Sequence, residues 1–403
     1  MKRIIVIGAG QSAASLCSKL RSEGYDEEIL LFGEERFLPY QRPPLSKKYL
    51  MGAQSLERLY IRPERYYTDN KIDTKLGFAV SNINPKEKKI YINNAYFSYD
   101  ELVLTTGSSP RKLSRTASND LENIFYVRSI TDIDSMRPSM IAEKKVLIVG
   151  GGYIGLEAAS VCQKLGLSVT LVEMNDRILN RVSSAQTSDY FRDLHVKHGV
   201  KIKEGVSLNH LSGEKKVSRA TFSDNTEIDI DFVIVGIGIL PNDSLAREAG
   251  LDIDNGIKTN ALCQTSNKHI WAAGDCASFP LNESRTRLES VQNSIDQAEL
   301  VARNILGAEE IYKPLPWFWS DQYDIKLQIA GLNTGYDQVV KRVHENTNTL
   351  SHWYYKNQKL LSVDAMNDPR SYMIAKRLID SSKTVDPKVV EDPSQDLKRF
   401  LEN

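Results

Sequence analysis

The feature that most constrains this chain is a unit of strand, glycine loop, helix and strand that occurs twice. In the first copy, the apolar run 4–7 leads into a glycine loop at 8–13. In the second copy, the run 146–149 leads into a similar loop at 150–155. Continuous apolar runs are typical of parallel strands that are buried on both faces. An internal repeat of this kind predicts two similar nucleotide-binding domains.

Each position of these loops has a physical purpose. A first glycine permits a tight turn, a second lets backbone amides approach a pyrophosphate, and a small third residue lets the helix pack on the strand. The N-terminus of the helix then offers unpaired N–H groups to the phosphates. The three positions are Gly8, Gly10 and Ala13 in the first loop and Gly150, Gly152 and Gly155 in the second. We therefore predict that each copy binds a dinucleotide.

A carboxylate follows the second strand of each copy, as Glu34 and as Glu173. At such positions a carboxylate accepts hydrogen bonds from ribose hydroxyls. The charge of Glu173 would repel a 2′-phosphate, which favours NADH over NADPH. Arg177 and Arg181 leave phosphate binding open, the alternative being that both lie on a solvated helix face.

The rest of the chain adds further strands and a third domain. The apolar runs 101–105, 232–238 and 270–275 predict buried strands. Asp275 ends the last of these runs, where a carboxylate can accept a hydrogen bond from a hydroxyl group. After residue 316 the pattern changes to alternating apolar and polar positions, as at 325–329, which is the period of a half-buried antiparallel strand. We interpret 317–403 as an α+β domain.

Composition excludes several classes of protein. Fifty-two basic residues balance fifty-two acidic ones, so no net field favours nucleic acid or an anionic membrane. No apolar run approaches the ~20 residues that a membrane-spanning helix needs. Residues 1–3 lead directly into the first strand, so we expect neither a signal nor a transit peptide.

The cysteines and histidines show no metal-ligand spacing, so we predict no metal site. The cysteines lie far apart, without a Cys-x-x-Cys pair, and we interpret them as small buried hydrophobes. Their scarcity suits a reducing cytoplasm. We interpret His195 and His198 as solvated side chains of a surface helix. The cysteines are Cys17, Cys162, Cys263 and Cys276.

Five motifs narrow the class further. They are PYQRPPLSK at 39–47, YD at 99–100 with TG at 106–107, GGYIGLE at 151–157, GDC at 274–276 and WFWSDQY at 317–323. Together they resemble the single-chain ferredoxin reductase family, which includes putidaredoxin reductase, rubredoxin reductase and the reductase components of bacterial dioxygenases. The resemblance covers nearly the whole chain, although Ser12 and Thr105 stand where the family commonly has alanine.

The resemblance implies an α/β fold like that of glutathione reductase, with two Rossmann-like domains and a C-terminal α+β domain. The expected limits are 1–110 with 237–316 for the FAD-binding domain, 111–236 for the NADH-binding domain inserted in it, and 317–403 for the C-terminal domain. The implied FAD contacts are Gly8, Gly10, Ser12, Ala13, Glu34, Arg42, Pro43, Lys47, Val80, Thr106, Gly107, Arg128, Asp275, Val291 and Trp319. The implied NADH contacts are Gly150, Gly152, Tyr153, Ile154, Gly155, Glu157, Glu173 and Gly238.

Three of these residues are the candidates for catalysis. The resemblance implies that Lys47 lies beside the flavin near its N5 and that Trp319 flanks the edge that faces the electron acceptor. Lys47 would stabilise negative charge on the reduced flavin, and Glu157 is placed in the sequence to pair with it. Trp319 and its neighbour Trp317 are equally consistent with hydrophobic core.

The function that the resemblance implies is electron transfer from NADH through FAD to a small [2Fe–2S] ferredoxin, which serves a cytochrome P450 or a dioxygenase. Because such ferredoxins are usually acidic, we expect a basic patch near Trp319. No redox-active cysteine pair is present, so the flavin must carry the chemistry alone. The alternatives are a rubredoxin reductase, a flavin NADH oxidase or peroxidase, and a flavoprotein that resembles apoptosis-inducing factor.

Overall fold

The computed structural model divides into two structural units, and each unit is built from three separate segments of the chain. The structure describes residues 2–118, 120–281, 284–344 and 349–401. The first unit consists of Met1–Gln41, Ser55–Ser109 and Ile239–Pro314, and the second of Arg42–Gln54, Pro110–Gly238 and Leu315–Asn403. Met1, at which the amino-terminal prediction begins, and the last two residues of the expected C-terminal domain lie outside the described residues.

Residues 2–238 contain both copies of the repeated strand, glycine loop, helix and strand. The elements of residues 2–110 are β1 (Arg3–Ile7), α1 (Gln11–Ser22), β2 (Glu28–Gly33), α2 (Glu64–Asp69), β3 (Ile72–Leu76), β4 (Asn82–Asn84), β5 (Lys89–Ile92), β6 (Ala95–Ser98), β7 (Glu101–Leu104) and β8 (Ser108–Pro110). Those of residues 111–238 are α3 (Arg115–Ser118), β9 (Ile124–Tyr126), α4 (Ile130–Met136), β10 (Lys145–Val149), α5 (Tyr153–Lys164), β11 (Ser168–Glu173), α6 (Ala185–Lys197), β12 (Lys201–Glu204), β13 (Leu208–Ser212), β14 (Arg219–Phe222), β15 (Glu227–Asp229) and β16 (Phe232–Val235).

After residue 238 the chain first contributes a segment to the first unit and then one to the second. Residues 239–314 form β17 (Ile239–Pro241), α7 (Ser244–Glu248), β18 (Ile257–Lys258), β19 (Ile270–Ala272), β20 (Ala277–Leu281), β21 (Ser284–Thr286) and α8 (Val291–Ile305). Residues 315–401 form β22 (Trp317–Gln322), β23 (Ile325–Gly331), β24 (Gln338–His344), β25 (Thr349–Lys356), β26 (Lys359–Met366), α9 (Pro369–Asp380) and α10 (Pro387–Glu391).

A parallel sheet of order β19-β7-β1-β2-β3 forms the centre of the first unit. Strand β1 is buried at Ile4–Ile7, as its apolar run predicts. Helices α1 and α8 pack together on this sheet through apolar side chains such as Leu16 and Val301. Because β1, β7 and β19 are parallel, the loops that follow them meet at one edge, where open α/β sheets bind their ligands.

The second unit repeats this design with a parallel sheet of order β12-β11-β10-β16-β9. The glycine loop follows β10, Glu173 ends β11, and Gly236–Gly238 follows β16. The two central strands therefore hold the same place in their sheets. This arrangement confirms the prediction of two Rossmann-like domains.

The second unit also contains an antiparallel sheet of order β22-β23-β26-β25-β24. Helix α9 packs against β23 and β26, and its buried residues include Ile374 and Leu378. The α+β character of this region is as predicted, whereas the exact limits of the domains stay a prediction. No helix among the described residues is long and apolar enough to cross a membrane.

The structure corrects one prediction in the second unit and rules out one alternative. His195 is not solvated: it is 0% exposed, because Gln322 and Tyr323 cover it and hydrogen-bond its two ring nitrogens. The sequence of α6 alone could not show this burial, because the residues that cover His195 come from the end of β22, far along the chain. Arg177 and Arg181 do not lie on a helix face, since they belong to the loop between β11 and α6.

Burial of two histidines predicts a pH dependence of stability. Desolvation lowers the pKa of His195 and of His352 from the ordinary 6.5 to about 4. Between these values the unfolded chain binds more protons than the folded one, so the free energy of unfolding falls as the pH falls through this window. Each histidine contributes at most about 1.4 kcal/mol per pH unit. Buried Asp364, whose pKa is raised to about 6 by desolvation, opposes this trend.

We therefore expect His195→Gln to lose less stability than the unchanged protein when urea unfolding at about pH 7 is compared with that at about pH 5. The matched control is His210→Gln, a change at an exposed histidine on β13 of the same unit, which should follow the unchanged protein. Equal slopes for both variants would show that His195 does not take up a proton on unfolding.

Candidate active site

The first glycine loop, in the first unit, is shaped by its neighbour strand. Gly8 has a φ of 105°, and a Cβ there would lie 2.3 Å from the carbonyl oxygen of Thr105. Only glycine permits so close a pass over the end of β7. At Gly10, by contrast, a Cβ would meet no atom of the described residues within 4 Å. The second glycine is therefore not required by the packing of the protein itself.

The second loop, in the second unit, has the same geometry. Gly150 has a φ of 107°, and a Cβ there would lie 2.4 Å from the carbonyl oxygen of Gly236, at the end of β16. A Cβ at Gly155 would lie 2.1 Å from the oxygen of Gly150, so α5 passes directly against the loop. A Cβ at Gly152 would meet none of the described atoms within 4 Å.

The two loops therefore fit the group that their sequences predict. In each, the first glycine is fixed by backbone contact, whereas the second faces open space at the start of a helix. The N-cap residues of α1 and α5, Gly10 and Gly152, make no side-chain capping hydrogen bond, which leaves the first N–H groups of both helices to a ligand. Open space beside free amides is what a pyrophosphate needs.

Several other predicted contacts of the first unit lie around the same sheet edge. A Cβ at Gly274 would lie 2.3 Å from the Oγ of Ser12, so the loop after β19 touches the start of α1. Asp275 Oδ2 accepts a hydrogen bond of 2.7 Å from Ser108. The remaining predicted residues of this unit are exposed Glu34, buried Val80, Ala13 on the buried side of α1, the loop residues Thr106 and Gly107, and Val291 as the first residue of α8.

Sequence reasoning missed two polar residues of this edge. Ser108 donates to Asp275, and the fully buried Gln297 accepts the N–H of Gly274 at 2.8 Å. Ser108 follows the Thr-Gly motif directly, which is a weak signal for it. Gln297 lies on the buried face of α8. A polar glutamine among the apolar residues of that face is the sequence signal that points to a buried hydrogen-bond partner.

Lys47 and Glu157, both in the second unit, form the ion pair that the sequence predicted. Lys47 Nζ lies 2.7 Å from Glu157 Oε2. The carboxylate is 2% exposed and also accepts hydrogen bonds from the hydroxyls of Ser46 and Ser320. A buried carboxylate requires such compensation, since transfer of an unpaired charge out of water is costly. Lys47, with a side chain that is 17% exposed, is not a solvated surface charge.

Local sequence explains how Lys47 is presented. Pro43 begins a 3-10 turn that runs to Ser46, a position at which the fixed φ of proline is favourable. The turn places Ser46 and Lys47 next to each other on Glu157. Arg42, directly before the turn, donates to the carbonyl oxygen of Arg128 at 2.6 Å. These two predicted cofactor contacts therefore come together in the second unit.

Trp319 is half-buried on β22. Its ring centroid is 5.5 Å from that of Trp317 and 6.4 Å from that of Phe318. Trp317 packs against the C-terminal core, which supports the core interpretation for that tryptophan. Phe318 contacts Tyr153 of the second glycine loop, with centroids 4.9 Å apart.

Glu173 is held in place by the glycine loop. Its Oε2 accepts the N–H of Gly151 at 2.7 Å, and its Oε1 accepts from the backbone and side chain of Asn175. Arg177 is occupied within the protein, since it donates to Ser188 of α6 and to the carbonyl oxygen of Ser183 in its own loop. Exposed Arg181, exposed Ile154 and Gly238, which has a positive φ, complete the predicted positions of this unit.

All the cysteines are free and buried. Desolvation raises the pKa of the Cys17, Cys162 and Cys263 thiols to about 12 and also raises that of Cys276. Because the thiolate is the reactive form, these thiols are inert at neutral pH. Among the described residues, no group of three or more histidine, cysteine or carboxylate side chains is placed to hold a metal ion.

Two family models match the chain. One, described as pyridine nucleotide-disulphide oxidoreductase, matches residues 2–298. The other, described as reductase C-terminal, matches residues 317–401. A curated relative from Sphingomonas sp, a ferredoxin–NAD(P)+ reductase, is 39% identical over 99% of this chain and 97% of its own length. A rubredoxin–NAD+ reductase from Ectopseudomonas oleovorans is 33% identical over 91% of this chain and 96% of its own.

Two solved structures that are similar over nearly the whole chain are also reductases of ferredoxin systems. The covalent complex of putidaredoxin reductase with putidaredoxin matches with a TM-score of 0.96 and 34% identity, over 100% of this chain and 98% of that one. The ferredoxin reductase for the CYP199A2 system from Rhodopseudomonas palustris matches with a TM-score of 0.95 and 35% identity, over 99% of both chains.

The open space at the second glycines can be tested with a matched pair of variants, Gly10→Ala and Gly152→Ala. Neither methyl group meets a described atom within 4 Å, so we expect thermal unfolding of the flavin-free proteins to change little in both. The comparison uses flavin-free protein because a bound ligand raises the unfolding temperature by itself. A methyl group at the pyrophosphate should weaken binding about tenfold, since overpacking costs about 1–3 kcal/mol. Gly10→Ala should therefore lower the flavin content of the purified protein. Gly152→Ala should keep its flavin and raise the KM for the reduced pyridine nucleotide.

Gly155→Ala provides the contrast, because its methyl group would clash with the backbone of Gly150. We expect that variant to unfold at a clearly lower temperature. If Gly10→Ala kept full flavin content and Gly152→Ala kept its KM, neither open space would be a pyrophosphate site.

Proposed function

We propose a function for this chain on the premise that it belongs to the pyridine nucleotide-disulphide oxidoreductase family. It is an FAD-containing oxidoreductase that takes electrons from a reduced pyridine nucleotide and passes them to a ferredoxin. The observation that carries this conclusion is the pair of glycine loops, each with open space at an uncapped helix start. The ferredoxin in turn serves a P450 or a dioxygenase, since similar reductases belong to a CYP199A2 system and to an anthranilate 1,2-dioxygenase system.

Bound FAD would supply the capacity to take hydride from a reduced nicotinamide and to deliver single electrons to an acceptor. We propose that the first glycine loop and the first turn of α1 bind its pyrophosphate, that Glu34 binds the adenosine ribose, and that Asp275 accepts a hydrogen bond from the ribityl chain. The other proposed contacts are Ser12, Ala13, Arg42, Pro43, Lys47, Val80, Thr106, Gly107, Arg128, Val291 and Trp319. The close contact of Ser12 with the loop that carries Asp275 supports a shared role.

The second glycine loop is the proposed site of the exchangeable nucleotide, with Tyr153, Ile154, Glu157 and Gly238 as further contacts. We propose that this nucleotide is NADH rather than NADPH. Glu173 places a negative charge directly at the loop, where it would repel a 2′-phosphate. Arg177 donates within the protein instead of facing a ligand, which weakens the case for phosphate binding.

Lys47 and Trp319 have distinct proposed roles. Lys47, held by Glu157, supplies positive charge that favours reduction of FAD. Trp319 contributes to the surface that receives the acceptor. Helix α9 brings positive charge to the neighbour of Trp319: Lys376 Nζ lies 5.8 Å from the ring centroid of Trp317, which is 5.5 Å from that of Trp319. Arg377 is exposed on the same helix. Such cations favour an acidic partner.

The domain limits and the compartment are also proposals. We assign 1–110 and 237–316 to FAD, 111–236 to NADH and 317–403 to the C-terminal domain. The match of the reductase C-terminal model to residues 317–401 supports the last of these. We propose a cytoplasmic location, because buried free thiols suit a reducing compartment.

A rubredoxin is the second candidate acceptor, favoured by the similarity to a rubredoxin–NAD+ reductase. The oxidase and peroxidase alternatives need a reactive thiolate beside the flavin, and the buried thiols of this chain do not supply one. The [2Fe–2S] ferredoxin remains the leading acceptor, because the two structural matches given above are both reductases of ferredoxin systems.

NADH-dependent reduction of cytochrome c tests the acceptor directly. We expect a slow rate with the reductase alone and a rate at least about tenfold higher when a [2Fe–2S] ferredoxin is added. The stimulation should weaken as salt is added, because screening reduces the attraction between opposite charges. A rubredoxin serves as the second arm. A rate that ferredoxin leaves unchanged would overturn the proposed function, and stimulation by rubredoxin alone would favour the second candidate.

The nucleotide preference is tested by Glu173→Gln, which removes the charge and keeps the shape of the side chain. We expect the ratio of kcat/KM for NADH to that for NADPH to fall about tenfold, which corresponds to about 1.4 kcal/mol. Glu204→Gln is the matched control, since Glu204 ends the neighbouring strand and accepts from Ile178 and Arg192, whereas Glu173 accepts from the glycine loop itself. An unchanged ratio in Glu173→Gln would remove Glu173 as the selector.

A further inference from the structure

A chain of buried hydrogen bonds leads from His195 to Lys47. His195 Nε2 bonds to Gln322 Oε1 at 2.8 Å, and Gln322 Nε2 donates to Ser320 Oγ at 3.2 Å. Ser320 Oγ donates to Glu157 Oε1 at 2.8 Å. The other oxygen of Glu157 holds Lys47. All five residues belong to the second unit, and only Lys47 reaches solvent to more than a few per cent.

The direction of each hydrogen bond follows from its neighbours. Gln322 Oε1 can only accept, so Nε2 of the neutral His195 ring carries the hydrogen and donates it, and Nδ1 accepts from Tyr323 OH. The amide group of Gln322 then presents its NH2 to Ser320. A hydroxyl that accepts from this amide has one hydrogen left, and Glu157 is the acceptor for it. Gln322 therefore fixes the hydroxyl of Ser320 as a donor to the carboxylate.

The position of the carboxylate matters because its two oxygens have different partners. Oε2 pairs with the ammonium group of Lys47 and accepts a hydrogen bond from Ser46, whereas Oε1 accepts one from Ser320. Without Ser320, Oε1 would be buried without a donor, which costs more than the hydrogen bond itself contributes. The carboxylate would turn to recover a partner, and the ammonium group of Lys47 would move with it.

We propose that Ser320, oriented by Gln322, is a positioning residue that fixes Glu157 and thereby the ammonium group of Lys47. Its effect is on the rate at which NADH reduces the bound FAD. This inference rests on the proposed function, in which Lys47 favours reduction of FAD. It adds a residue of the C-terminal segment to the first half of the reaction.

Ser320→Ala tests the proposal in the flavin-loaded protein by stopped-flow measurement of flavin reduction by NADH. We expect FAD to be retained and reduction to slow about tenfold, the effect that loss of one hydrogen bond to a charged group supports. The midpoint potential of the bound flavin should become more negative, since the positive charge of Lys47 is less well placed. If the alanine variant does not fold, Ser320→Cys keeps the volume and has only a weak donor.

Ser160→Ala is the matched control. Ser160 is buried on the same helix as Glu157, and its hydroxyl accepts the N–H of Tyr323 at 2.8 Å without touching the carboxylate. This variant loses one buried hydrogen bond to the same segment, so a general loss of packing would affect it equally. We expect its reduction rate and midpoint potential to stay at those of the unchanged protein.

Lys47→Ala separates this inference from the function on which it rests. It should retain FAD and be reduced slowly, and Ser320→Ala added to it should slow reduction no further, because both act through one group. Unchanged reduction in Lys47→Ala would overturn the proposed role of Lys47 and this inference together. Slow reduction in Lys47→Ala, with Ser320→Ala and Ser320→Cys no different from Ser160→Ala, would overturn the inference alone.

Discussion

The close approach of a glycine turn to the end of a neighbouring strand is the constraint on which both nucleotide sites depend. Gly8 passes over Thr105, and Gly150 passes over Gly236, at distances that leave no room for a side chain. This contact brings the start of the next helix back onto the sheet. The N–H groups of that helix then face the edge where the parallel strands end. A side chain at either glycine would move the helix, and the amides would no longer converge on one anion.

Much of this fold could be predicted from the sequence, because its signals are local. The apolar runs that became β1 and β10 are continuous, and the glycines directly after them mark the turns. The Lys47–Glu157 pair was also predicted, although its members lie far apart in the chain, since the Pro-rich motif and the second glycine loop each have a distinctive sequence.

The parts that could not be predicted depend on ordinary polar residues whose partners lie far along the chain. His195 was expected in water, yet Gln322 and Tyr323 cover it. Ser320 reads in the sequence as one residue of an aromatic strand, and only the fold places it on Glu157. A serine or glutamine carries no signal of this kind, because many such residues are solvated. Such a residue acquires a role only when the fold buries it and places a specific hydrogen-bond partner beside it.

The inert thiols have a consequence for how this protein can be regenerated. Relatives that work through a disulphide must have it reduced again after each turnover, and a thiolate held for that purpose is open to oxidation. The cysteines of this chain are buried, with pKa values that keep them protonated. The protein therefore has no thiol to restore between turnovers. Reduced nucleotide alone is then sufficient to return it to the working state.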